Sequence, residues 1–148
     1  MIPGVQASTY AAVATGHIGS KFGLAPEAAR DAIARIRRSS VLRCAGVHTH
    51  IGSQILDADQ LADAVAPIAN LGEFDVYNFG GGLGVRYTYD DDPPTVDVYA
   101  ETMIARARAL VPADARIIVE PGRSMTAAAA CTVSVSYTHL TLPTTPYV

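Results

Sequence analysis

Three strand-like runs in this sequence each end in a short turn that combines glycine with polar side chains. The runs cover residues 44–47, 74–77 and 115–119, and the middle one leads into a stretch with four glycines in five positions. Glycine tolerates left-handed backbone conformations, so such a stretch can turn its N–H groups inward. The three turns are His50-Ile51-Gly52-Ser53-Gln54, Asn78-Phe79-Gly80-Gly81-Gly82-Leu83-Gly84 and Glu120-Pro121-Gly122-Arg123-Ser124.

Helical patterns alternate with these runs. A helix is predicted over residues 26–38, where Pro26 suits the first turn, because its missing N–H would be unpaired there. A second helix is predicted over residues 57–71 with a kink at Pro67, and a third over 96–110 after a loop at 87–95. The predicted strands cover residues 41–47, 74–77 and 115–119, and residues 2–7 resemble the middle of an earlier strand. The alternation predicts an α/β fold of parallel βα units, either a barrel or a doubly wound sheet.

Composition limits the partners. The 148 residues, 49% hydrophobic and 17% charged, suffice for one domain core. With a net charge of −3 and scattered arginines, no basic stripe is available, and we expect no nucleic-acid partner. Cys44 and Cys131 lack the spacing of a metal site and the density of a disulfide scaffold, which favours a cytoplasmic protein. No signal peptide or membrane span is expected.

The turns share a chemistry. In parallel βα folds the carboxyl ends of the strands lie at one edge, so residues distant in sequence converge there. The glycine turn, the hydroxyl of Ser53 and a close backbone approach at Gly122 suit a phosphate, and Arg123 can hold a phosphate or a carboxylate. Glu120 then needs a cationic partner, which a protonated heterocyclic nitrogen supplies, and His50 can lie flat against such a ring. Phosphate and ring together predict pyridoxal 5'-phosphate.

The three motifs, in this order, resemble those of the pyridoxal-phosphate decarboxylases with an alanine-racemase-like barrel. Gln54, the Leu83-Gly84 pair and Ser20-Lys21-Phe22-Gly23 are similar to the diaminopimelate decarboxylase branch in particular, more than to the ornithine or arginine branches. The resemblance covers about residues 3–133. It implies decarboxylation of meso-diaminopimelate to L-lysine and CO2, with a homodimeric parent enzyme acting on a small amino acid.

The resemblance also implies roles for individual residues. His50 and Glu120 are the implied catalytic residues, His50 stacking on the cofactor ring and Glu120 pairing with the pyridine nitrogen. Arg123 is implied in phosphate or substrate contacts. The implied cofactor-binding set is His50, Ser53, Gly80, Gly81, Gly82, Glu120, Gly122 and Arg123.

The sequence departs from the family in two respects. Such enzymes attach the cofactor to a lysine as a Schiff base, and Lys21, the only lysine here, is not at that position. The family's carboxy-terminal β-domain with its cysteine is also missing, and Cys131 does not stand in that motif. We therefore expect residues 1–135 to be the carboxy-terminal half of a (β/α)8 TIM-type barrel, roughly its last four strands, and to be inactive alone. Residues 136–148, rich in Thr and Pro, form a tail of doubtful origin.

Other interpretations stay open. His48 and His50 lie on one side of a strand by the period of two, as in metal-dependent hydrolases built on the same barrel. The preferred interpretation includes no metal. An ornithine- or arginine-type decarboxylase is a further alternative. An open half-barrel that binds nothing stably is another, because its strand edges would be exposed. The glycine turn alone could be a tight connection, and Lys21 is predicted to be a surface or loop residue.

Overall fold

A three-stranded parallel sheet carries the three predicted turns at one edge. The computed structural model describes residues 1–5, 7–9, 14–17, 19–131 and 133. In these residues the strands lie in the order β1 (Gly46–His48), β2 (Val76–Asn78) and β3 (Arg116–Ile118). They are in register, since Val47 lies opposite Tyr77 and Tyr77 opposite Ile117. The three carboxyl ends are therefore level with each other. An α/β fold with a parallel sheet is confirmed, and the half-barrel stays a prediction.

Five helices accompany the sheet in the described ranges. Pro26 begins the first of them, and the Thr95 hydroxyl caps the fourth by accepting a hydrogen bond from the Val98 N–H at 3.2 Å. The second and third both pack against the fourth. The helices are α1 (Pro26–Arg37), α2 (Ala58–Ala62), α3 (Val65–Ala69), α4 (Val96–Arg108) and α5 (Gly122–Thr126).

The core fills the space between the sheet and helices α2 to α4. Its fully buried large side chains include Ile55, Leu83 and Met103. Tyr77 is buried with its polar tip satisfied, because its hydroxyl donates to Gly72 O at 2.7 Å and accepts from the Phe74 N–H at 3.2 Å. This core holds the middle strand, and with it the glycine turn, in place.

Two predicted strands differ from the structure. Residues 2–5 and 7 form no strand, because Pro3 has no N–H to donate and Gly4 has a left-handed φ of 73°. The strand predicted over 41–47 begins only at Gly46. Its first residues turn instead, since the Ser39 hydroxyl accepts hydrogen bonds from the N–H groups of both Val41 and Leu42 at 3.2 Å. Three strands therefore stand in the described ranges where four were predicted.

The second predicted helix is also corrected. It is divided into α2 and α3, and the break lies at Asp63 and Ala64 rather than at Pro67. Pro67 lacks the N–H that would bond to the carbonyl of Asp63 four residues earlier, so the helix ends there and Pro67 sits in the first turn of α3. Helix α5 was not predicted. The helices at 26–38 and 96–110 and the loop at 87–95 are confirmed within two residues.

The tail at residues 136–148 lies outside the described residues. In the part of the chain that the structure covers, no helix has both the length and the apolar character that crossing a membrane requires.

Candidate functional site

Hydrogen bonds join the three turns into one site. The N–H of Glu120 donates to Gly80 O at 2.8 Å, which links the third turn to the second. The N–H of Gly81 donates to Nδ1 of His50 at 3.3 Å, which links the second turn to the first. Arg123 Nε donates to Ser53 Oγ at 3.1 Å and joins the third turn to the first. The predicted convergence of these turns is therefore present in the structure.

The glycine turn is shaped by the strand ends around it. A Cβ on Gly80 would lie 2.4 Å from Thr49 O, and one on Gly81 would lie 2.1 Å from Glu120 O. Gly82 has a φ of 117°, and its Cβ would lie 2.7 Å from Gly52 O. Larger residues would thus push the three turns apart, so the tight-connection interpretation accounts for these glycines without any ligand.

The N–H groups of this turn are not equally available. Gly80 donates its N–H to Asn78 Oδ1 at 2.8 Å, and Gly81 donates to His50. The N–H of Gly82 has no hydrogen-bond partner among the residues described. Of the three consecutive glycines, Gly82 is therefore the one whose N–H donates to none of the described residues.

Gly122 differs from the glycines of the turn. An added Cβ there would meet no atom within 4 Å. The protein's own packing does not require glycine at this first position of α5. Open space at this point is compatible with the close approach of an anion.

The carboxylate of Glu120 lies at one end of the site. Its Oε1 accepts a hydrogen bond from Asn78 Nδ2 at 2.7 Å, and its Oε2 lies 4.0 Å from His48 Nε2. The side chain is 55% exposed, and within the described residues Oε2 has no hydrogen-bond partner.

His50 beside it has a pKa below its ordinary value, which favours the neutral imidazole at neutral pH. Burial is the main cause that lowers the pKa of His50, the nearby His48 lowers it further, and Glu120 partly opposes this. A neutral imidazole has one nitrogen without a proton, which fits Nδ1 as the acceptor for the Gly81 N–H. His50 therefore offers an uncharged ring at this end of the site.

Tyr99 supports the glycine turn from helix α4. Its hydroxyl donates to Gly80 O at 3.4 Å, in a fully buried position. Burial, with a smaller contribution from Glu120, raises the pKa of Tyr99 to about 12. The hydroxyl thus remains protonated, and a donor, at neutral pH.

Arg123 forms the opposite, cationic end. In addition to its bond to Ser53, its Nη1 donates to the Tyr87 hydroxyl at 2.7 Å, and the guanidinium carbon lies 5.7 Å from the centre of the Tyr87 ring. An arginine has five N–H donors, so most of the fork is left for an anion. Ser53 Oγ accepts from Arg123 and keeps its own O–H as a donor.

Cavities adjoin both ends of the site. One of about 320 Å³ borders His48 and His50, and another of about 790 Å³ borders Tyr87 and Arg123. The two cavities share no lining residue among those described, and neither is lined by the glycine turn, Ser53 or Glu120, so each adjoins one end of the site only.

The metal-site alternative is not supported by the geometry. His48 ends β1 and His50 lies beyond the strand, where its Nδ1 accepts the N–H of Gly81. Within the described ranges, no group of three or more His, Cys, Asp or Glu side chains could hold a metal ion. Lys21 is exposed, with its ammonium 5.3 Å from the Phe22 ring centre, which confirms the prediction of a surface residue.

Three residues of the site were given no role in it from the sequence, although Asn78 begins the second turn. Asn78 is the last residue of β2, so its polar side chain at a strand end was a usable signal. Tyr87 was assigned only to a loop. Tyr99 belongs to the buried side of α4, and its sequence pattern does not distinguish it from any other core aromatic residue.

Comparison with known proteins identifies a family. The profile described as "Pyridoxal-dependent decarboxylase, pyridoxal binding domain" matches residues 1–127. A diaminopimelate decarboxylase from Synechocystis sp. is 34% identical over 152 residues, a match that covers 89% of this chain and 31% of the relative. The chain therefore spans about a third of the length of such curated relatives.

Solved structures give the same result. The crystal structure of diaminopimelate decarboxylase from Helicobacter pylori complexed with L-lysine matches with a TM-score of 0.75 at 29% identity, covering 84% of this chain and 33% of that one. The lysine/ornithine decarboxylase from Vibrio vulnificus complexed with cadaverine matches with a TM-score of 0.60 at 26% identity, covering 71% and 30%. From these matches and the profile match, the chain belongs to the pyridoxal-dependent decarboxylases, within their pyridoxal-binding domain.

Proposed function

We propose that the three turns hold one molecule of pyridoxal 5'-phosphate between Arg123 and Glu120. The observation that carries this proposal is the set of hydrogen bonds joining the turns, which sets a cationic fork and a carboxylate in one site. The free N–H of Gly82, the Ser53 hydroxyl and the Arg123 guanidinium are donors suited to a phosphate. The open space at Gly122 supports its place in this set.

The other end suits the cofactor ring. The accessible Oε2 of Glu120 can accept the proton of a pyridinium nitrogen, and the opposite charges stabilise each other. Neutral His50 can lie against the ring without competing for this carboxylate by its own charge. Gly80 and Gly81 contribute by shape, because their N–H groups are already bonded to Asn78 and His50. When bound, the cofactor supplies an electron sink for the reaction.

We infer that the parent protein is a diaminopimelate decarboxylase, converting meso-diaminopimelate to L-lysine and CO2. The curated relatives with this name and the TM-score of 0.75 to the Helicobacter pylori enzyme support this inference. An ornithine-type enzyme is the second candidate, because the lysine/ornithine decarboxylase from Vibrio vulnificus also matches, with a TM-score of 0.60. A homodimeric parent in the cytoplasm is part of the same proposal.

The place of this chain in that parent is also a proposal. Residues 1–135 would form the carboxy-terminal half of the (β/α)8 barrel, and Arg123 would also contact a carboxylate of the substrate. The single lysine, Lys21, is exposed beside Phe22 and is not at the Schiff-base position that the family resemblance implies. We therefore expect no decarboxylation by the 148 residues alone.

Equilibrium dialysis of this chain against pyridoxal 5'-phosphate and against pyridoxal tests the proposal. Loss of charge-assisted hydrogen bonds costs about 1.5–3 kcal/mol each, so pyridoxal should bind at least about tenfold more weakly than its phosphate. Arg123→Gln should reduce this preference for the phosphorylated compound, while Arg43→Gln, at an exposed arginine paired with Asp75, should not. Equal binding of the two compounds, or binding of neither, would contradict the proposal.

A further inference from the structure

Asn78 connects two parts of the site through one side chain. It is the last residue of β2 and is half-buried. Its Oδ1 accepts the N–H of Gly80 at 2.8 Å, within the glycine turn. Its Nδ2 donates to Oε1 of Glu120 at 2.7 Å, beyond the end of β3. A single amide therefore ties the acid to the turn.

The chemistry of the partners fixes the direction of this amide. An ionised carboxylate only accepts hydrogen bonds, and a backbone N–H only donates one. Both bonds of Asn78 form only with nitrogen towards Glu120 and oxygen towards Gly80. Aspartate has the same shape but has no donor for Glu120 when ionised. Alanine can make neither bond.

The bond to Asn78 leaves the two oxygens of Glu120 in different states. Oε1 accepts a short hydrogen bond, whereas Oε2 lies 4.0 Å from His48 Nε2, beyond hydrogen-bond distance. A hydrogen bond to Oε1 also restricts rotation of the carboxylate about its last bond. Glu120 is thus held in one orientation with Oε2 presented.

We propose that Asn78 is a positioning residue that holds Glu120 with Oε2 towards the ring nitrogen of the bound cofactor and couples this orientation to the glycine turn. The inference rests on the proposed cofactor site. Asn78 does not touch the cofactor in this account, because it acts through Glu120.

A cofactor-free measurement tests the contact itself. The side-chain amide protons of Asn78 are followed by NMR in the original chain and in Glu120→Gln. Because a carboxylate is a stronger acceptor than an amide oxygen, the bonded Asn78 proton should move upfield and exchange faster with water in Glu120→Gln. An unchanged resonance would overturn the proposal whether or not the chain binds the cofactor.

A second measurement tests the effect on binding. Asn78→Asp keeps the acceptor for Gly80 and sets a second carboxylate against Glu120, which turns Glu120 away from its position. At about pH 8, where both acids are ionised, pyridoxal 5'-phosphate should bind at least about tenfold more weakly than to the original chain. Asn70→Asp, at an exposed asparagine that ends α3, adds the same charge and should bind as the original chain does.

The pH profile distinguishes positioning from damage to the fold. At about pH 5 the new aspartate and Glu120 can share one proton, which restores an O–H donor across the contact. The ratio of the dissociation constants of Asn78→Asp and the original chain for pyridoxal 5'-phosphate should therefore approach one. The other titratable groups facing Glu120 are His48, His50 and Tyr99, and they are the same in both chains. A ratio that does not change with pH would overturn the proposal.

A double variant completes the test. In the Glu120→Gln background the glutamine amide can donate a hydrogen bond to an aspartate at position 78. In that background Asn78→Asp should therefore weaken the binding of pyridoxal 5'-phosphate by less than about threefold. The same cost in both backgrounds would show that Asn78 does not act through Glu120. Circular dichroism of each variant checks that it folds. If the original chain binds no cofactor, the proposed function fails, and the NMR measurement still decides the contact.

Discussion

His50 shows how burial in the folded chain changes the pKa of a residue in this site. Its ring is close to a histidine and a carboxylate, yet burial has the largest effect and lowers its pKa. A motif in the sequence cannot give this result, because it depends on how much water the folded strand ends exclude. The identity of the residue was predictable, and its charge state was not.

The lowered pKa of His50 predicts a pH dependence of stability. Between the folded pKa and the ordinary value of 6.5, the folded chain binds fewer protons at this site than the unfolded chain. The free energy of unfolding therefore rises with pH across this window and falls as the pH drops below about 6.5. His50→Gln cannot titrate, so its stability relative to the original chain should improve as the pH falls from about 7 to 5.

Urea unfolding of both chains across that range checks this prediction. His48 is present in both of them, so its effect is largely removed in the difference. If the difference in free energy of unfolding between the original chain and His50→Gln stayed constant with pH, a lowered pKa of His50 would be ruled out.

Two glycines allow a matched comparison of packing and binding. In Gly81→Ala the new Cβ would lie 2.1 Å from Glu120 O, so the second and third turns must move apart. We expect a loss of about 1–3 kcal/mol in the free energy of unfolding. In Gly122→Ala the Cβ meets no atom within 4 Å, and alanine favours the helix, so stability should be unchanged or higher by up to about 1 kcal/mol.

The proposed phosphate site adds a second expectation for Gly122→Ala. Its Cβ would occupy space that the anion needs, so binding of pyridoxal 5'-phosphate should weaken even though the fold does not. Urea unfolding and dialysis on the same preparations measure both effects. Equal loss of stability in the two variants would contradict this distinction between the glycines.

Among the helices and strands, the predicted bounds were right where signals close in sequence determine where an element begins and ends. Helix α4 has a threonine cap, a first-turn aspartate and two arginines in its last turn, and these signals are local in sequence. The strand over 41–45 was wrong because one hydroxyl, that of Ser39, turns the chain. The break of the second helix was predicted at Pro67 itself, but it lies at Asp63 and Ala64. The reason is that the carbonyl of Asp63 would bond to the N–H that Pro67 lacks.

The Thr95 cap gives a test at this scale. Removing the hydroxyl in Thr95→Ala leaves the N–H of Val98 without its partner, which should cost about 1 kcal/mol in the free energy of unfolding. Thr95→Ser keeps the hydroxyl and should stay within about 0.5 kcal/mol. Urea unfolding measures both. Similar values for alanine and serine would mean that the cap does not stabilise α4.

In the whole molecule, the parallel register of three strands brings distant residues together. The order of the motifs along the chain was enough to predict one shared edge, because carboxyl ends of parallel strands always meet there. The contacts between the turns were not predictable in the same way. Arg123 meets Ser53 70 positions away, and Asn78 meets Glu120 42 positions away, through side-chain placement that only the folded core determines.

The central claim is that one molecule of pyridoxal 5'-phosphate contacts all three turns. A titration of the ¹⁵N-labelled chain with this compound, followed by NMR, tests it most directly. The account predicts that the backbone signals of Ser53, Gly82 and Arg123 and the ring signals of His50 shift together with one dissociation constant. Shifts confined to a single turn, or separate dissociation constants for the three turns, would contradict it.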